Sequence, residues 1–280
     1  MTLNYFLSET SGGKTLGLRI LACIKQVPAA ATVEMDEGTG VLKREGAAAK
    51  MNPYDLYALE MAFTIREKHG GGVDVLSMGP PAAKSALFEA LCMGADTACL
   101  LSDNRFAGAD VLATSRALAG AVRLMGNYDP IVCGKQTTDG DTAQVGPALA
   151  ELLGMQHASY VQTLCIEGNM AHTTISFGDG ELEQLLPLPC LVTVEKDANT
   201  PRLPSYRRSK SVNIEDVKTL TLDDFEDADE CRYGLAGSPT QVERIFPPES
   251  GADKEILRGD AGYLAERAAG ILRAGKFVKY

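Results

Sequence analysis

Short apolar runs alternate with amphipathic stretches over residues 18–154. The runs Leu18–Val27, Val73–Met78, Thr97–Leu101 and Ile131–Cys133 are rich in aliphatic side chains, which is typical of buried strands. Between the runs, apolar residues recur at helical spacing. This alternation of strand and helix predicts an α/β fold with a doubly wound, mostly parallel sheet and right-handed crossovers.

The intervening helices have clear start and stop signals. Asn52-Pro53 predicts a helix start with Asn as N-cap and Pro at the first helical position, and Gly70-Gly71-Gly72 predicts its end. Further helices are predicted up to Gly94, over Ala109–Met125 and over Pro147–Leu153.

Beyond Gly154 the pattern changes to an added β-hairpin region. Strands are predicted at Ser159–Ile166, Ala171–Phe177, Glu181–Leu186 and Cys190–Glu195. An amphipathic helix is expected at Ala261–Lys276, and a small hairpin at Val33–Leu42. We expect an N-terminal extension (1–17), a nucleotide- or flavin-binding α/β domain (18–212), and a C-terminal arm (213–280) whose helix packs on a partner.

The loop Gly134–Gly146, GKQTTDGDTAQVG, joins a predicted strand to a predicted helix. Backbone N–H groups in such a loop and at the helix N-terminus can hold a phosphate. Gly134 and Gly140 permit close approach or positive φ, and Asp141 or Thr142 is a candidate N-cap. The alternative interpretation is an ordinary capped loop.

The side chains of this loop suit a nucleotide. Hydroxyls, amides and the cation of Lys135 are assigned to phosphate. Asp139 and Asp141 would repel phosphate, so they are assigned to backbone N–H groups or a ribose hydroxyl. In a parallel sheet the segments Cys23–Val27, Met78-Gly79, Asp103–Asp110 and Gly134–Gln144 should all meet at the carboxyl edge, which favours a real site.

Composition narrows the function classes. Lys and Arg number 27 against 37 Asp and Glu, a net charge of −10, which argues against nucleic acid or an anionic membrane as partner. We find neither a membrane-spanning run nor a secretory signal. Seven cysteines without a C-x-x-C motif and three scattered histidines give no metal site and no His-centred catalytic site, and they favour a reduced cytoplasm.

With these motifs in place, the chain resembles the beta subunit of electron-transfer flavoproteins from about Arg19 to Tyr280. The resemblance rests on ILACIKQVP (Ile20–Pro28), MNPYDLYALE (Met51–Glu60), SMGP (Ser77–Pro80) and GKQTTDGDTAQVGPALAELLG (Gly134–Gly154). It implies an adenine-nucleotide alpha-hydrolase-like sheet and an obligate heterodimer with a flavin-carrying alpha subunit. Similar beta subunits hold AMP or, in electron-bifurcating members, a second FAD.

The resemblance implies which residues contact the cofactor. They are Cys23, Asn52, Pro53, Tyr54, Asp55 and Met78, with Gly134, Lys135, Gln136, Thr137, Thr138, Asp139, Gly140, Asp141, Thr142, Ala143, Gln144 and Val145 of the loop. No side chain is assigned as a catalytic acid or base.

The segment Ser102–Arg116 and the motif DGDTAQVGP are similar to the bifurcating branch, so FAD is expected and AMP is the alternative. Asp103–Gly108 is predicted to be open enough for an isoalloxazine ring, with Asp103, Asp110 and Thr114 near it; the alternative is a helix start capped by Asp110. Electrons would then pass from NADH, contacted by Ser77–Pro80, to the alpha-subunit flavin with an acyl-CoA dehydrogenase or similar acceptor, and to ferredoxin or flavodoxin.

One position departs from the family. Members that serve several dehydrogenases carry a leucine anchor before Asn-x-Pro-Arg, where this chain has Ala198. A dedicated partner, or contacts through Arg202–Lys210, is therefore expected.

Two other function classes remain open. One is a regulatory or structural module with permanently bound AMP. The other is an adenylating enzyme, which would need a glycine-rich loop where Lys25–Pro28 has no glycine.

Overall fold

The computed structural model describes residues 17–29, 49–243 and 256–278. The predicted hairpin at Val33–Leu42 and the N-terminal extension, except Gly17, lie outside these residues. The strands are β1 (Leu18–Cys23), β2 (Gln26–Pro28), β3 (Ala49–Met51), β4 (Gly71–Met78), β5 (Thr97–Leu101), β6 (Pro130–Gly134), β7 (Gln156–Glu167), β8 (Met170–Phe177), β9 (Gly180–Pro187), β10 (Cys190–Val194) and β11 (Val217–Leu220). The helices are α1 (Pro53–His69), α2 (Lys84–Met93), α3 (Val111–Met125), α4 (Val145–Leu153), α5 (Tyr206–Ser209) and α6 (Ala261–Ala274).

Nine strands form one sheet in the order β11-β5-β4-β1-β6-β10-β7-β8-β9. Pairing is parallel from β11 to β7 and antiparallel through β8 and β9. The expected doubly wound, mostly parallel α/β sheet with an added hairpin region is thus confirmed. The strand β11 was missed, since VKTL is short and surrounded by polar residues.

The sheet is covered on both faces because successive strand residues point to opposite sides. Along β1, Ile20 packs in a cluster with Leu59 and Phe63 of α1, whereas Leu21 packs in a second cluster with Met125 of α3 and Leu149 of α4. The first cluster also takes in α2. These two cores fix the sheet between two helical layers.

Helix boundaries follow the sequence signals closely. Pro53 occupies the first turn of α1, as predicted, and Gly70 ends it with φ 73°. Asn52 occupies the N-cap position, as predicted, although its side chain makes no cap hydrogen bond.

The six acidic residues among the eight of Asp223–Glu230 predict an exposed linker, yet the segment around Phe225 packs on the domain. Phe225 is 7% exposed, and its ring lies 5.8 Å from Phe106 and 5.7 Å from Tyr233. The acids around Phe225 face solvent while the aromatic side chains are buried. Charge density therefore misled the sequence-based interpretation.

The chain separates into two compact units, residues 1–243 and 244–280. In the second unit, α6 begins after Asp260, whose carboxylate accepts a hydrogen bond from the Tyr263 N–H at 2.9 Å. Ile271 and Leu272 on this helix are exposed. The division at residue 212 and the docking of the arm on a partner stay predictions.

Replacing Phe225 by alanine is expected to lower the free energy of unfolding by about 3–5 kcal/mol, because it removes a buried ring. Urea unfolding of the full chain measures this change. Phe177, 77% exposed, provides the matched control, and Phe177→Ala should change stability by less than about 0.5 kcal/mol. Equal effects would contradict the packing role of Phe225.

Candidate functional site

The order of strands reverses between β1 and β6. From β1 the chain proceeds to β4 and β5 on one side, then returns to place β6 on the other side. Crevices at the carboxyl ends of strands at such a switch point are the usual ligand sites of open α/β sheets. Here these ends are Cys23 and Gly134.

A cleft opens at this point, with about 580 Å³ of free space when its open mouth is included. Its lining includes ten of the predicted contact residues: Cys23, Asp55, Gly134, Lys135, Gln136, Thr137, Thr142, Ala143, Gln144 and Val145.

The side chain of Asn52 fastens the loop after β6 to the start of α1. It is fully buried. Its Nδ2 donates to the Gln136 carbonyl at 2.8 Å and to Asp55 Oδ1 at 2.9 Å. Its Oδ1 accepts from the Thr138 N–H at 3.3 Å. Because buried amides are costly to leave unpaired, these bonds hold the loop in place.

Asp55 forms the inner wall of the cleft. Its Oδ2 accepts from the Lys25 N–H at 2.7 Å, which ties the segment after β1 to α1. Burial raises the pKa of Asp55 from an ordinary 3.8 to about 7, against the opposing effect of its hydrogen bonds from Asn52 and Lys25. The cleft thus contains a carboxyl group that titrates near neutral pH.

The backbone N–H groups at the N-terminus of α4 have no side-chain cap. The helix begins at Val145 after Gln144, which makes no side-chain cap hydrogen bond. The predicted caps Asp141 and Thr142 are therefore wrong, because they lie too early in the chain. The first N–H groups of a helix have no intrahelical acceptor, so this end can receive an anion.

Positive φ occurs in the loop, but at other positions than predicted. Asp141 and Ala143 have φ of 53° and 55°, whereas Gly134 and Gly140 do not adopt positive φ. Such conformations in residues with a Cβ are strained and tend to cluster at ligand sites. Gly134 is needed for packing, since a Cβ there would lie 2.3 Å from Asp55 Oδ1.

Each charged side chain of the loop has a polar or charged partner, either in the loop or in a neighbouring segment. Lys25 Nζ contacts both carboxylate oxygens of Asp139 at 2.8 Å. Gln136 Nε2 donates to Asp141. Lys135 Nζ lies 2.9 Å from Glu195 Oε2. Lys135, which was assigned to phosphate, thus already has a carboxylate partner, and its contact with a phosphate stays a prediction.

The predicted residues that follow β5 form hydrogen bonds with other parts of the domain. Asp103 accepts from Arg105, which also pairs with Asp223. Asp110 caps α3 by accepting from the Ala113 N–H at 3.0 Å and also accepts from Thr240. The alternative interpretation, a helix start capped by Asp110, is therefore observed.

The segment Asp103–Gly108 contains a short 3₁₀ helix, Asn104–Phe106, and is partly packed on the domain. Phe106 is 4% exposed, and the Leu235 N–H donates to the Ala107 carbonyl at 2.9 Å. Met78 ends β4 and is partly buried against the core. Flavin contacts of Met78, Asp103, Asp110 and Thr114 stay predictions.

Six lining residues were not among the predicted cofactor contacts: Ile24, Lys25, Leu118, Cys133, Gly146 and Leu149. Ile24 and Lys25 lie in the segment Cys23–Val27 that was predicted to reach this edge, and Cys133 directly precedes Gly134. Gly146 allows α4 to approach β10, where a Cβ would lie 2.4 Å from Thr193 Cγ2. Nothing in the sequence alone marks that contact.

The segment after β10 presents apolar side chains on a fixed base. Arg202 pairs with Glu60 at 2.8 Å and Glu67 at 2.7 Å. Leu203 is 86% exposed and Tyr206 77% exposed. The base is rigid because ion pairs and backbone bonds tie it to α1 and α2, including the bond from the Ser205 N–H to the Cys92 carbonyl.

Within the described residues, no group of three or more His, Cys, Asp or Glu side chains is arranged to hold a metal. No described helix is both long and apolar enough to cross a bilayer.

Comparison with known proteins agrees with this architecture. The family described as Electron transfer flavoprotein domain matches residues 39–221. "Electron transfer flavoprotein subunit beta" of Thermoanaerobacterium thermosaccharolyticum is 45% identical over 244 residues, which is 87% of this chain and 93% of that protein. The protein of the same name from Clostridium acetobutylicum is 41% identical over 240 residues, or 86% and 92%. "Caffeyl-CoA reductase-Etf complex subunit CarD" of Acetobacterium woodii is 40% identical over 243 residues, again 86% and 92%.

Stability should depend on pH through Asp55. Since its folded pKa is raised, the folded state keeps a proton that the unfolded chain has released between about pH 4 and pH 7. Stability therefore falls as pH rises through this window, by on the order of 4 kcal/mol, and levels off above it. Urea unfolding at several pH values should show that Asp55→Asn removes this part of the slope.

The exposed turn residue Asp179 provides the control, and Asp179→Asn should keep the wild-type slope. If the free energy of unfolding changed equally with pH for wild type and Asp55→Asn, Asp55 would not titrate as inferred.

Proposed function

The chain belongs to the electron transfer flavoprotein family, among the beta subunits, and from this premise we propose that it holds FAD in the cleft between β1 and β6. It would act as the electron-bifurcating partner of a flavin-carrying alpha subunit. The observation that carries this proposal is the uncapped N-terminus of α4 facing a cleft at the strand switch point.

The residues present fit the diphosphate of such a cofactor. The N–H groups at the start of α4 have no side-chain cap, and hydrogen bonds to a charged group contribute about 1.5–3 kcal/mol each. The helix dipole adds only about 0.3–1 kcal/mol. The carboxylates of Asp139 and Asp141 are held by Lys25 and Gln136, which reduces their repulsion of phosphate.

A bound flavin would supply the redox chemistry, accepting a hydride from NADH and releasing electrons one at a time. The chain itself would bind and orient the cofactor. Asn52 would fix the loop that grips the phosphates. Asp55 would place a titrating carboxyl group in the wall of the cleft. No side chain here needs to act as a catalytic acid or base.

A second candidate is a beta subunit with structural AMP that carries electrons from acyl-CoA dehydrogenases without bifurcation. The packing of Asp103–Gly108 supports it, because Phe106 is buried and the Ala107 carbonyl already accepts from the Leu235 N–H. In both candidates the loop after β6 and the start of α4 hold the phosphate. The candidates differ in the cofactor, which ends at the phosphate in AMP and continues to a flavin in FAD.

Partners follow from the family. We propose an obligate alpha subunit, an acyl-CoA dehydrogenase or similar acceptor, and ferredoxin or flavodoxin as the low-potential acceptor, in the cytoplasm. Ala198 is partly buried against the core, so it cannot anchor a partner. Leu203 and Tyr206 are the apolar groups that project from this segment.

The cofactor can be counted on the heterodimer purified with its alpha subunit. Two FAD per heterodimer with NADH-reducible flavin is the expected result, whereas one FAD plus AMP would support the second candidate.

Asn52→Ala should lower nucleotide affinity about tenfold or more, because loss of the buried hydrogen bonds frees the loop. Isothermal titration with AMP as probe measures this loss.

Asn169→Ala, in the turn between β7 and β8, is the matched control and should bind AMP like wild type. A cleft that binds neither AMP nor FAD would contradict both candidates.

Truncating Leu203 or Tyr206 to alanine should weaken docking of an acyl-CoA dehydrogenase. We expect KM for that partner to rise about tenfold with kcat little changed, since exposed apolar anchors contribute binding energy at interfaces. Steady-state electron transfer between the purified proteins measures both constants. Leu185→Ala, 60% exposed on β9, is the control. An equal rise for the control would rule out the assigned anchors.

A further inference from the structure

Two cysteines stand side by side in the floor of the cleft. Cys23 ends β1 and is the register partner of Cys133 on the adjacent parallel strand β6. Register partners on neighbouring strands point to the same face, with Cα atoms separated by the strand spacing of about 4.8 Å. That separation lies in the range of roughly 4.4–6.8 Å that disulfides span. Both side chains line the cleft.

The two thiols also interact. A hydrogen bond with Cys23, together with burial, raises the pKa of Cys133 well above its usual range. Cys133 therefore keeps its proton and shares it with the neighbouring sulfur. Cys133 is 7% exposed, whereas Cys23 is half-buried, so a reagent entering the cleft meets Cys23 first.

No other cysteines are arranged in this way. All seven cysteines lie in the described residues, and all are free thiols. Cys99, Cys165 and Cys190 lie on strands, but their register partners are not cysteines. Cys92 lies on α2, and Cys231 is exposed in the segment after β11. The pair is thus a specific feature of the switch point.

We propose that Cys23 and Cys133 are a reversible dithiol–disulfide modification site whose oxidation competes with nucleotide binding. The oxidant is a low-molecular-weight disulfide such as oxidised glutathione. The Cys23 sulfur attacks it, forming a mixed disulfide and releasing one thiol that takes the Cys23 proton. Cys133 then attacks the Cys23 sulfur, forming the protein disulfide and releasing the second thiol with the remaining proton.

Competition follows from geometry. The same cleft is lined by the sulfurs and by the loop residues Gln136 to Val145. A nucleotide bound in the cleft would block the oxidant's approach to Cys23. A disulfide between Cys23 and Cys133 would in turn change the floor against which the nucleotide rests. This part rests on the proposed function, whereas formation of the disulfide does not.

The test uses the full chain with its two exposed thiols removed by Cys165→Ser and Cys231→Ser. This parent is incubated with oxidised glutathione and digested without reduction. We expect mass spectrometry to find a peptide linking Cys23 to Cys133. Adding Cys133→Ser should stop the reaction at a glutathione adduct on Cys23, and adding Cys23→Ser should give neither product. Pre-incubation with AMP should slow formation of the linked peptide at least tenfold.

The Cys165→Ser, Cys231→Ser parent protein tests both the disulfide and the competition without the added variants. A persistent adduct on Cys23 with no linked peptide would overturn the disulfide. Unchanged oxidation when isothermal titration shows AMP bound would overturn the competition. If neither AMP nor FAD binds the reduced parent, the proposed function fails, while the linked peptide still decides whether the thiols pair.

Discussion

The buried amide of Asn52 is the interaction on which the site depends. It joins the loop after β6 to the start of α1 through the Gln136 carbonyl and the Thr138 N–H. The same side chain donates to Asp55, which in turn accepts from the backbone N–H of Lys25 after β1. Two strand ends and one helix start are therefore fixed relative to each other by side chains that exclude water. A cleft at a switch point is thereby made rigid.

This constraint explains how two aspartates can lie in a loop suited to an anion. Asp139 faces Lys25, and Asp141 accepts from Gln136, so each carboxylate has a partner within the loop or beside it. Backbone N–H groups at the start of α4 stay available because Gln144 does not cap them. Attraction for phosphate thus comes from main-chain dipoles, and the side-chain charges nearly balance.

Much of the fold could be predicted from local patterns. The strand Thr97–Leu101 was predicted to the residue, and Pro53 marked the start of α1. Long-range contacts could not be predicted: Lys135 turned out to pair with Glu195, and Phe106 with Phe225, because each pair is brought together by tertiary packing. The cap of α4 was misplaced because Asp and Thr are good caps in general, whereas here the loop continues through Asp141 and Ala143 at positive φ.

Burial raises the pKa of Asp55 and, after the hydrogen bond with Cys23, also contributes to the raised pKa of Cys133. Both lie where β1 and β6 end beneath α1, and this region has few solvent contacts. Burial disfavours the charged form of a carboxyl and of a thiol alike. A floor that is neutral at moderate pH repels an anionic ligand less than an ionised one would. The protonated carboxyl of Asp55 and the protonated thiol of Cys133 therefore act in the same direction on nucleotide binding.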